Sequence, residues 1–490
     1  MSKHRGPVFK QVFPIFVLVM VGTLTLSGVS AQDLEATIAI DADKGTAAIS
    51  GRFTGDGDGP RNLSFTGTAI GADRLSSRID KVELSGADGS PIAFKRLNSS
   101  EFAADARIVD FKFSADLSSL KDPRSAAHAS WVAGDLGIIF LDDILPHSSA
   151  NGGRRATVRF IVPDGWSVMS TETAGGDGLF DVNDRGRAVF ILGKGIRRIE
   201  PPRKGEPVLL INGNWLHTDA EAAEMMLEIY RGYVKLFGGP PSAGSMVVLF
   251  PFPQPGVGHG TWEAETRGSS VLIASAGMAF EYPAKQRLHE QLRHELFHLW
   301  IPNAVGLTGT YDWFYEGFAM YISLKTAVSL KRIRFDDMLD TLSRAYRIDR
   351  SATRRRSLVE SSRERWAGGE TQVYARGLLA AFLCDIAMLN QTGGKGSVER
   401  LLRDLFQKHT SPSAAADGNS AILAELQAVP ALRSVVNDVI LGREPVNWDT
   451  AIAAAGLEFS TENGSSGLKV KGRTAGRQRT VLRKLGYNGR

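Results

Sequence analysis

Two histidines and two glutamates lie at spacings that suit a metal ion and the water it would activate. His294, Glu295 and His298 form the run His-Glu-Leu-Phe-His, and Glu316 follows His298 by 316 − 298 = 18 positions. Residues four apart on a helix share one face, with Cβ atoms about 5 to 6 Å apart, so both imidazoles can converge on one ion. A catalytic zinc takes three protein ligands and keeps a fourth position for water. The spacing therefore predicts one zinc ion per chain, held by His294, His298 and Glu316.

Glu295 would then lie beside that water. Zinc lowers the pKa of such a water to about 7, and a neighbouring carboxylate can accept its proton. The activated water can attack a carbonyl carbon, and peptide hydrolysis is the natural use of this chemistry. The alternative is a helix that carries two surface histidines by chance, and the third ligand, Glu316, makes that alternative weaker.

The first 31 residues have the composition of a secretory signal peptide. Three basic residues among the first ten precede an apolar run over residues 12–26, and small residues lead up to Ala31. This order is typical of a signal peptide, so we expect cleavage after Ala31 and export to a periplasm or to the medium. An uncleaved membrane anchor is the alternative, although the apolar run is short for a membrane-spanning helix.

Charge and cysteine usage narrow the class of protein. Loss of residues 1–31 removes three positive charges and no negative ones, so the formal net charge falls from +5 to 5 − 3 = +2. A mature chain so close to neutral indicates no general nucleic-acid partner. The sole cysteine, Cys384, lies in an apolar stretch and is expected to be a small core residue. We expect peptide substrates and no membrane contact after cleavage, and the oligomeric state stays open.

The organisation of the chain predicts a multi-domain α+β protein, because the mature chain is longer than one hydrophobic core usually supports. Residues 32–203 contain short alternating runs separated by turn residues, which predicts an N-terminal antiparallel β domain. Residues 204–330 hold the metal motif in a mixed pattern, and residues 331–460 have a helical pattern. Residues 461–490 hold eight Lys or Arg against one Glu. We interpret them as a basic, solvated tail or a small terminal strand pair.

Proline and aspartate suggest the bounds of the two helices that carry the ligands. The first helix should begin near Pro283 or Ala284 and end by Ile301, because a proline follows Ile301. The second helix should start after Asp312, whose side chain can cap it, and should carry Glu316 in its first turn.

Two extended segments resemble a known group of enzymes. The run from His294 to Asn303 reads HELFHLWIPN, and the run from Trp313 to Tyr321 reads WFYEGFAMY. Both are similar to the zinc-ligand helices of gluzincin metallopeptidases of the aminopeptidase N and glycyl aminopeptidase families. The resemblance covers residues 200–450. It implies a saddle-like β domain, a thermolysin-like zinc catalytic domain and a C-terminal helical lobe that closes the cleft, and it implies an aminopeptidase.

A third segment, VYARGLL at Val373 to Leu379, is similar to the segment whose tyrosine stabilises the tetrahedral intermediate in these families. The resemblance implies that Tyr374 donates a hydrogen bond to the oxyanion. A phenol with a pKa near 10 stays protonated at neutral pH and can do so. The alternative is an ordinary buried helix tyrosine.

A fourth segment, GTWEA at Gly260 to Ala264, matches the amine-binding strand of these families only at its Gly and Glu. The resemblance implies that Glu263 binds the free α-amino group of the substrate. Glu265 could equally occupy that position, and Glu263 could be an ordinary edge-strand carboxylate.

Two functions remain as alternatives to an aminopeptidase. An endopeptidase of the same fold would use the same zinc chemistry without an amine anchor. A catalytically silent, zinc-stabilised binding protein would keep the ligands and lose the reaction.

Overall fold

The computed structural model describes residues 33–54, 61–148, 154–242, 244–410, 415–462 and 465–489. The predicted signal peptide lies outside these described residues. Among them, the chain forms an N-terminal β region, a mixed α/β region that carries the metal motif, and a helical lobe. The predicted α+β, multi-domain fold class is confirmed.

The N-terminal region consists of β-sheets. Its strands are β1 (Asp33–Asp41), β2 (Thr46–Thr54), β3 (Asn62–Ser64), β4 (Ile79–Ser85), β5 (Phe94–Arg96), β6 (Glu101–Ala104), β7 (Asp110–Asp116), β8 (Trp131–Ala133), β9 (Leu136–Phe140), β10 (His147–Ser148), β11 (Ala156–Ile161), β12 (Ser167–Ser170), β13 (Thr173–Ala174), β14 (Leu179–Val182) and β15 (Val189–Gly193), with a short helix α1 (Leu141–Ile144). Among the described residues they form one sheet in the order β13-β14-β11-β1-β2-β7-β4 and two smaller sheets, β10-β3-β6-β5 and β12-β15-β9-β8. Alternating apolar residues of the large sheet face one core.

One strand pair of the N-terminal region departs from the predicted antiparallel arrangement. β1 and β11 run parallel, with Leu34 opposite Ala156. Parallel neighbours need a long crossover connection, and the smaller strands between β2 and β11 provide it. The hydrophobic alternation of each strand is the same in either direction, so the sequence pattern does not reveal this pairing.

The metal-motif region is built on a mixed sheet with helices against it. Its elements are β16 (Arg197–Ile199), β17 (Val208–Ile211), α2 (Asp219–Phe237), β18 (Met246–Phe250), β19 (Trp262–Arg267), β20 (Ser270–Ser275), α3 (Glu281–His298), β21 (Leu307–Thr308) and α4 (Asp312–Ser329). The sheet order is β16-β17-β18-β20-β19, in which β17, β18 and β20 are parallel and β19 is an antiparallel edge strand. The sheet already includes β16, so this region begins before the predicted boundary between residues 203 and 204.

The two ligand helices begin slightly differently from the prediction. α3 starts at Glu281 and holds Pro283 in its first turn, where a proline lacks only a hydrogen bond that is absent anyway. α4 starts at Asp312 itself, and no side chain caps it. The predicted capping role of Asp312 is therefore wrong. Its carboxylate accepts a hydrogen bond from Nη1 of Arg365 at 2.7 Å, because an oppositely charged partner from another segment competes for it.

The helical lobe surrounds the other side of α4. Its elements are α5 (Phe335–Ser351), α6 (Leu358–Arg363), a 3-10 turn (Arg365–Ala367), α7 (Glu370–Thr392), α8 (Val398–His409), β22 (Ala416–Asp417), α9 (Gly418–Ala428), a π-helical turn (Val435–Ile440), α10 (Asp449–Ala454), β23 (Leu457–Glu462), β24 (Ser465–Val470) and α11 (Gly476–Leu485). Among the described residues, α7 is long and apolar enough to span a membrane, but 89% of its most apolar 18-residue stretch is buried inside the protein. It is the central helix of the lobe and contains the buried Cys384.

The interpretation of residues 461–490 as a solvated tail is wrong, whereas the alternative strand pair is present. β23 and β24 are antiparallel, with Leu457 opposite Val470. α11 follows and buries Val481, Leu482 and Leu485 in the core shared with the lobe. These apolar residues have helical spacing, and the many basic residues of the segment hide that spacing in a composition count.

Two glycines let α4 and α7 cross in contact. A Cβ on Gly317 would lie 2.4 Å from the backbone carbon of Gly377, and a Cβ on Gly377 would lie 2.8 Å from the carbonyl oxygen of Trp313. Only glycine permits so close an approach of two helix backbones. Glu316 is adjacent to one glycine and Tyr374 lies one turn before the other, so this crossing brings the two side chains to the same site.

Candidate active site

The three predicted metal ligands converge. The ligand atoms of His294, His298 and Glu316 all lie within 4.8 Å of one another. Nε2 of His294 is 3.2 Å from Nε2 of His298 and 3.1 Å from Oε2 of Glu316, and Nε2 of His298 is 3.5 Å from the same oxygen. Two imidazole nitrogens and a carboxylate oxygen are a donor set that suits zinc. The residues present therefore fit a zinc ion.

The electrostatics of the cluster favour a cation. Burial raises the pKa of Glu316, but the two histidines outweigh it and lower the pKa well below the usual value. Burial lowers the pKa of His298, yet the Glu316 carboxylate outweighs that effect and raises it. Both directions indicate a site that stabilises positive charge between the three side chains, which is what a divalent ion provides.

Hydrogen bonds to the outer atoms fix the orientation of the ligands. Nδ1 of His298 is 3.1 Å from the carbonyl oxygen of Ile301, which can only accept, so Nδ1 carries the proton and Nε2 keeps its lone pair. Oε1 of Glu316 is 3.1 Å from Nη1 of Arg365, which leaves Oε2 to face the imidazoles. Arg365 is thus an outer partner of the metal ligand, and it lies in the turn between α6 and α7.

Asn303 connects the end of the metal helix to the edge strand. Its Nδ2 donates to the carbonyl oxygen of Thr266 at 2.9 Å and to that of His298 at 3.1 Å, and its Oδ1 accepts from the backbone N–H of Gly268 at 2.9 Å. One side chain therefore holds the position of α3 relative to β19. The last residue of the HELFHLWIPN segment therefore has a structural role, because it makes this connection.

The predicted general base, Glu295, lies against the edge strand. Its Oε1 is 4.0 Å from Nε2 of His294, so the carboxylate is beside the metal position without belonging to the ligand set. The Thr266 hydroxyl is 2.9 Å from Oε2 of Glu295 and 3.0 Å from the backbone carbonyl oxygen of the same residue. Thr266 therefore fixes one carboxylate oxygen and leaves the other towards the metal position.

Tyr374 is brought to the same cleft by α7. Its ring centroid is 6.4 Å from that of His294, and its hydroxyl oxygen accepts a hydrogen bond from Nη2 of Arg365 at 2.8 Å. Because the arginine donates to that oxygen, the phenol proton remains available for a different acceptor. Burial, with the nearby Glu316 carboxylate, raises the pKa of Tyr374 well above its usual value, so the phenol stays protonated.

The edge strand β19 places Glu263 and Glu265 on one face, and a residue of the N-terminal region meets them there. Nδ1 of His128 makes a very short contact with Oε2 of Glu265, and Nε2 of His128 is 3.8 Å from Oε2 of Glu263. The other oxygen of Glu265 pairs with Arg267 at 3.0 Å. Glu265 is thus occupied at both oxygens, whereas the contact described for Glu263 is the longer one to His128.

These charges shift each other's ionisation. Burial lowers the pKa of His128, but hydrogen bonds to the two glutamates outweigh it and raise the pKa to about 9. Burial raises the pKa of Glu265, but Arg267 and His128 outweigh it and lower the pKa to about 2. At neutral pH, Glu265 is therefore ionised and His128 protonated, and the pair is a charged contact between two regions of the chain.

The metal cluster lies in a cleft of about 940 Å³ between β19, α3, α4, α5 and α7. Every predicted site residue lines it: His294, Glu295, His298, Glu316, Tyr374 and Glu263. Sequence reasoning missed Arg365 and His128, which also line it. Neither residue lies in a sequence motif that would have predicted its role, because each reaches the site from a segment far from the metal motif in sequence.

Comparisons with known proteins agree with this fold. No protein-family model matches the chain, and no curated protein is significantly similar to it. Among solved structures, an aminopeptidase N family protein from Idiomarina loihiensis has a TM-score of 0.74 at 16% identity, over 91% of this chain and 82% of that chain. An M1 zinc metallopeptidase from Deinococcus radiodurans has a TM-score of 0.54 at 16% identity, over 85% of this chain and 95% of that chain.

A variant of the Deinococcus radiodurans enzyme bound to a Tyr-Ser-Ala substrate has a TM-score of 0.54 at 15% identity, over 85% of this chain and 96% of that chain. The fold of this chain is therefore that of the aminopeptidase N and M1 zinc metallopeptidase structures, as the sequence resemblance predicted.

Proposed function

We propose that this chain is a zinc-dependent peptidase, and that it acts as an aminopeptidase on peptides after export. One observation carries the proposal: two imidazole nitrogens and a carboxylate oxygen lie within 4.8 Å of one another, with the Glu295 carboxylate 4.0 Å from one of them, in a cleft. His294, His298 and Glu316 would hold one zinc ion. When bound, zinc would supply a Lewis acid that acidifies water and polarises a carbonyl oxygen.

The chain's own residues transfer the proton and stabilise the developing negative charge. Glu295, oriented by Thr266, accepts a proton from the attacking water at Oε1 and later delivers it to the leaving amine. Tyr374 donates its phenol proton as a hydrogen bond to the carbonyl oxygen as negative charge develops there. Arg365 positions Glu316 and Tyr374, because it contacts Oε1 of Glu316 and the hydroxyl oxygen of Tyr374.

Glu263 is the better of the two amine-anchor candidates on β19. Glu265 is already saturated by His128 and Arg267, whereas Glu263 keeps an oxygen available to the cleft. A substrate ammonium bound to Glu263 would place the first peptide bond near the metal position, which is the basis of aminopeptidase selectivity. The predicted signal peptide supports a periplasmic or secreted location.

An endopeptidase is a second candidate, and one observation favours it. Nε2 of His128 lies 3.8 Å from Oε2 of Glu263, so a protonated imidazole already faces the carboxylate that a substrate amine would use. If His128 neutralises that anchor fully, the cleft has no preference for a free amino terminus.

Hydrolysis of matched peptides with free and acetylated amino termini separates the two candidates. An aminopeptidase should cleave only the free-amine peptides, and Glu263→Gln should raise their KM by about tenfold or more, since a charge-assisted hydrogen bond is lost. Glu281→Gln, at an exposed carboxylate outside the cleft, is the matched control and should have no effect. Cleavage that tolerates acetylation would identify an endopeptidase, and zinc binding without any turnover would identify a binding protein.

A further inference from the structure

Arg293, the residue before the first metal ligand, is a buried arginine with unusual partners. Its side chain is only 4% exposed. Nη1 contacts Nδ1 of His289, and Nε donates to the Ser323 hydroxyl at 3.2 Å. Burial, with the neighbouring Arg293 charge, lowers the pKa of His289 to about 3, so the imidazole is neutral and accepts from the guanidinium. Both partners of Arg293 are therefore uncharged.

No carboxylate pairs with this guanidinium among the described residues. After the Tyr233 phenol, Glu290 is the acidic group that raises the pKa of Arg293, but Glu290 is exposed, lines the same cleft and is itself bonded to Arg287 at 3.0 Å. The hydrogen bonds of the Arg293 side chain in the described part of the chain use Nε and Nη1 and leave Nη2 without one, and Arg293 lines the cleft. A buried charge without a counter-ion is costly, so this arrangement is best explained by an anionic partner that enters from the cleft.

The position of Arg293 on α3 determines which part of a substrate it would meet. Successive residues of a helix are about 100° apart, so 293 and 295 lie on opposite sides of 294. Glu295 contacts β19 through Thr266, and Arg293 contacts α4 through Ser323. The metal position therefore separates β19, which carries Glu263, from Arg293. A peptide whose amine is at Glu263 and whose carbonyl is at the metal position would then extend its carboxyl end towards Arg293.

A second arginine lines the same cleft. Arg344 of α5 is exposed and lines the cleft together with Thr341, to whose hydroxyl its Nη2 donates at 3.1 Å. It forms no ion pair among the described residues. Met320 and Leu324 of α4, two partly buried apolar side chains, also line the cleft. The cleft thus offers two guanidinium groups and apolar side chains of α4 to a ligand.

We propose that Arg293 and Arg344 form a subsite for the α-carboxylate of the substrate, so that this chain prefers short peptides with a free carboxyl terminus. The inference rests on the proposed peptidase function. Guanidinium groups suit carboxylates because their N–H donors match the two oxygens. An amine-binding residue at one end of the cleft and a carboxylate-binding subsite at the other would make the enzyme selective for peptides of a limited length.

Peptides that differ only at the carboxyl terminus test this subsite. Ala-Ala and Ala-Ala-Ala are compared with their carboxamides in the zinc-loaded enzyme, and we expect amidation to lower kcat/KM by about tenfold or more through KM. In Arg344→Ala, an exposed position that should not affect folding, the same ratio should fall to about twofold. Arg347→Ala, an exposed arginine of the same helix that does not line the cleft, is the control and should keep the wild-type ratio.

Arg293→Lys asks whether the guanidinium geometry itself matters. Lysine keeps the charge but cannot contact His289, Ser323 and a carboxylate together, so the amidation ratio should also decrease. Circular dichroism and zinc content of this variant show whether it is folded and loaded. Equal kcat/KM for acid and amide in the wild-type enzyme overturns the proposal. A preference for Ala-Glu-NH₂ with no preference for free acids also overturns it, because an acidic side chain would then be the ligand.

Binding separates a failure of this inference from a failure of the proposed function. Calorimetric titration of the zinc-loaded Glu295→Gln variant with Ala-Ala-Ala and its amide needs no turnover. If the acid binds about tenfold more tightly while no peptide is hydrolysed by the wild-type chain, the subsite stands and the peptidase proposal fails. If both peptides are hydrolysed and bound equally well, the peptidase proposal stands and the subsite is wrong.

Discussion

The two walls of the cleft are built by different physical means. The helix wall consists of α3, α4 and α7, and its functional side chains are fixed by helical spacing and by the contact between Gly317 and Gly377. The strand wall is β19, and its carboxylates are held by charges, one of which comes from His128 in the N-terminal region. The helix wall thus depends on close packing, whereas the strand wall depends on ionisation. Changes of volume should damage the first, and changes of pH should damage the second.

The largest effect should come from removing the phenol of the helix wall. Tyr374→Phe keeps the ring and its packing but loses the hydroxyl that bonds to Arg365 in the cleft. We expect kcat to fall by about 10²- to 10³-fold with a small change in KM, because the lost hydrogen bond forms only as negative charge develops. Steady-state kinetics on a free-amine peptide measure this. An unchanged kcat would mean that Tyr374 is an ordinary buried tyrosine.

The packing of the helix wall can be tested at its closest contact. Gly377→Ala would place a Cβ 2.8 Å from the carbonyl oxygen of Trp313, so α4 and α7 must separate. We expect a loss of about 1 to 3 kcal/mol in the free energy of unfolding, together with lower activity, since Glu316 and Tyr374 move apart. Gly232→Ala in α2 is the control, because its Cβ meets nothing within 4 Å. That variant should gain about 0.5 to 1 kcal/mol. Equal stability of the two variants would contradict the close-packing account.

The strand wall should respond to pH through His128. Its pKa is raised to about 9 from an ordinary value of 6.5, so its stabilising contribution is complete below pH 6.5 and is lost as pH rises through 9. The difference corresponds to up to about 3 kcal/mol. Urea unfolding at pH 6 and pH 10 should show a larger loss for the wild-type chain than for His128→Gln. An identical loss in both proteins would mean that the contact with Glu265 contributes no pH-dependent stability.

The sequence predicts the helix wall far better than the strand wall, for physical reasons. His294, His298 and Glu316 are set by local helical spacing, and Tyr374 by a segment that resembles a known one. By contrast, Arg365 and His128 act through tertiary contacts that no local pattern encodes. The fold class follows from hydrophobic periodicity, because strands and helices have different periods.

Two of the predictions are wrong for the same physical reason. Asp312 has the residue type of a cap, but Arg365 provides a stronger partner for its carboxylate. The segment 461–490 has the charge of a solvated tail, but three apolar residues with helical spacing anchor α11 to the lobe. In both cases a long-range contact outweighs a local preference, and a single sequence does not show long-range contacts.

Zinc content measured together with peptide hydrolysis tests the central claim most directly. Elemental analysis of the purified chain and of Glu295→Gln should find one zinc per chain in both, since Glu295 is outside the ligand set. Only the wild-type chain should hydrolyse free-amine peptides, and the variant should be slower by about 10²- to 10⁴-fold. Hydrolysis that survives in Glu295→Gln, or activity in a wild-type chain that holds no zinc, would contradict the account.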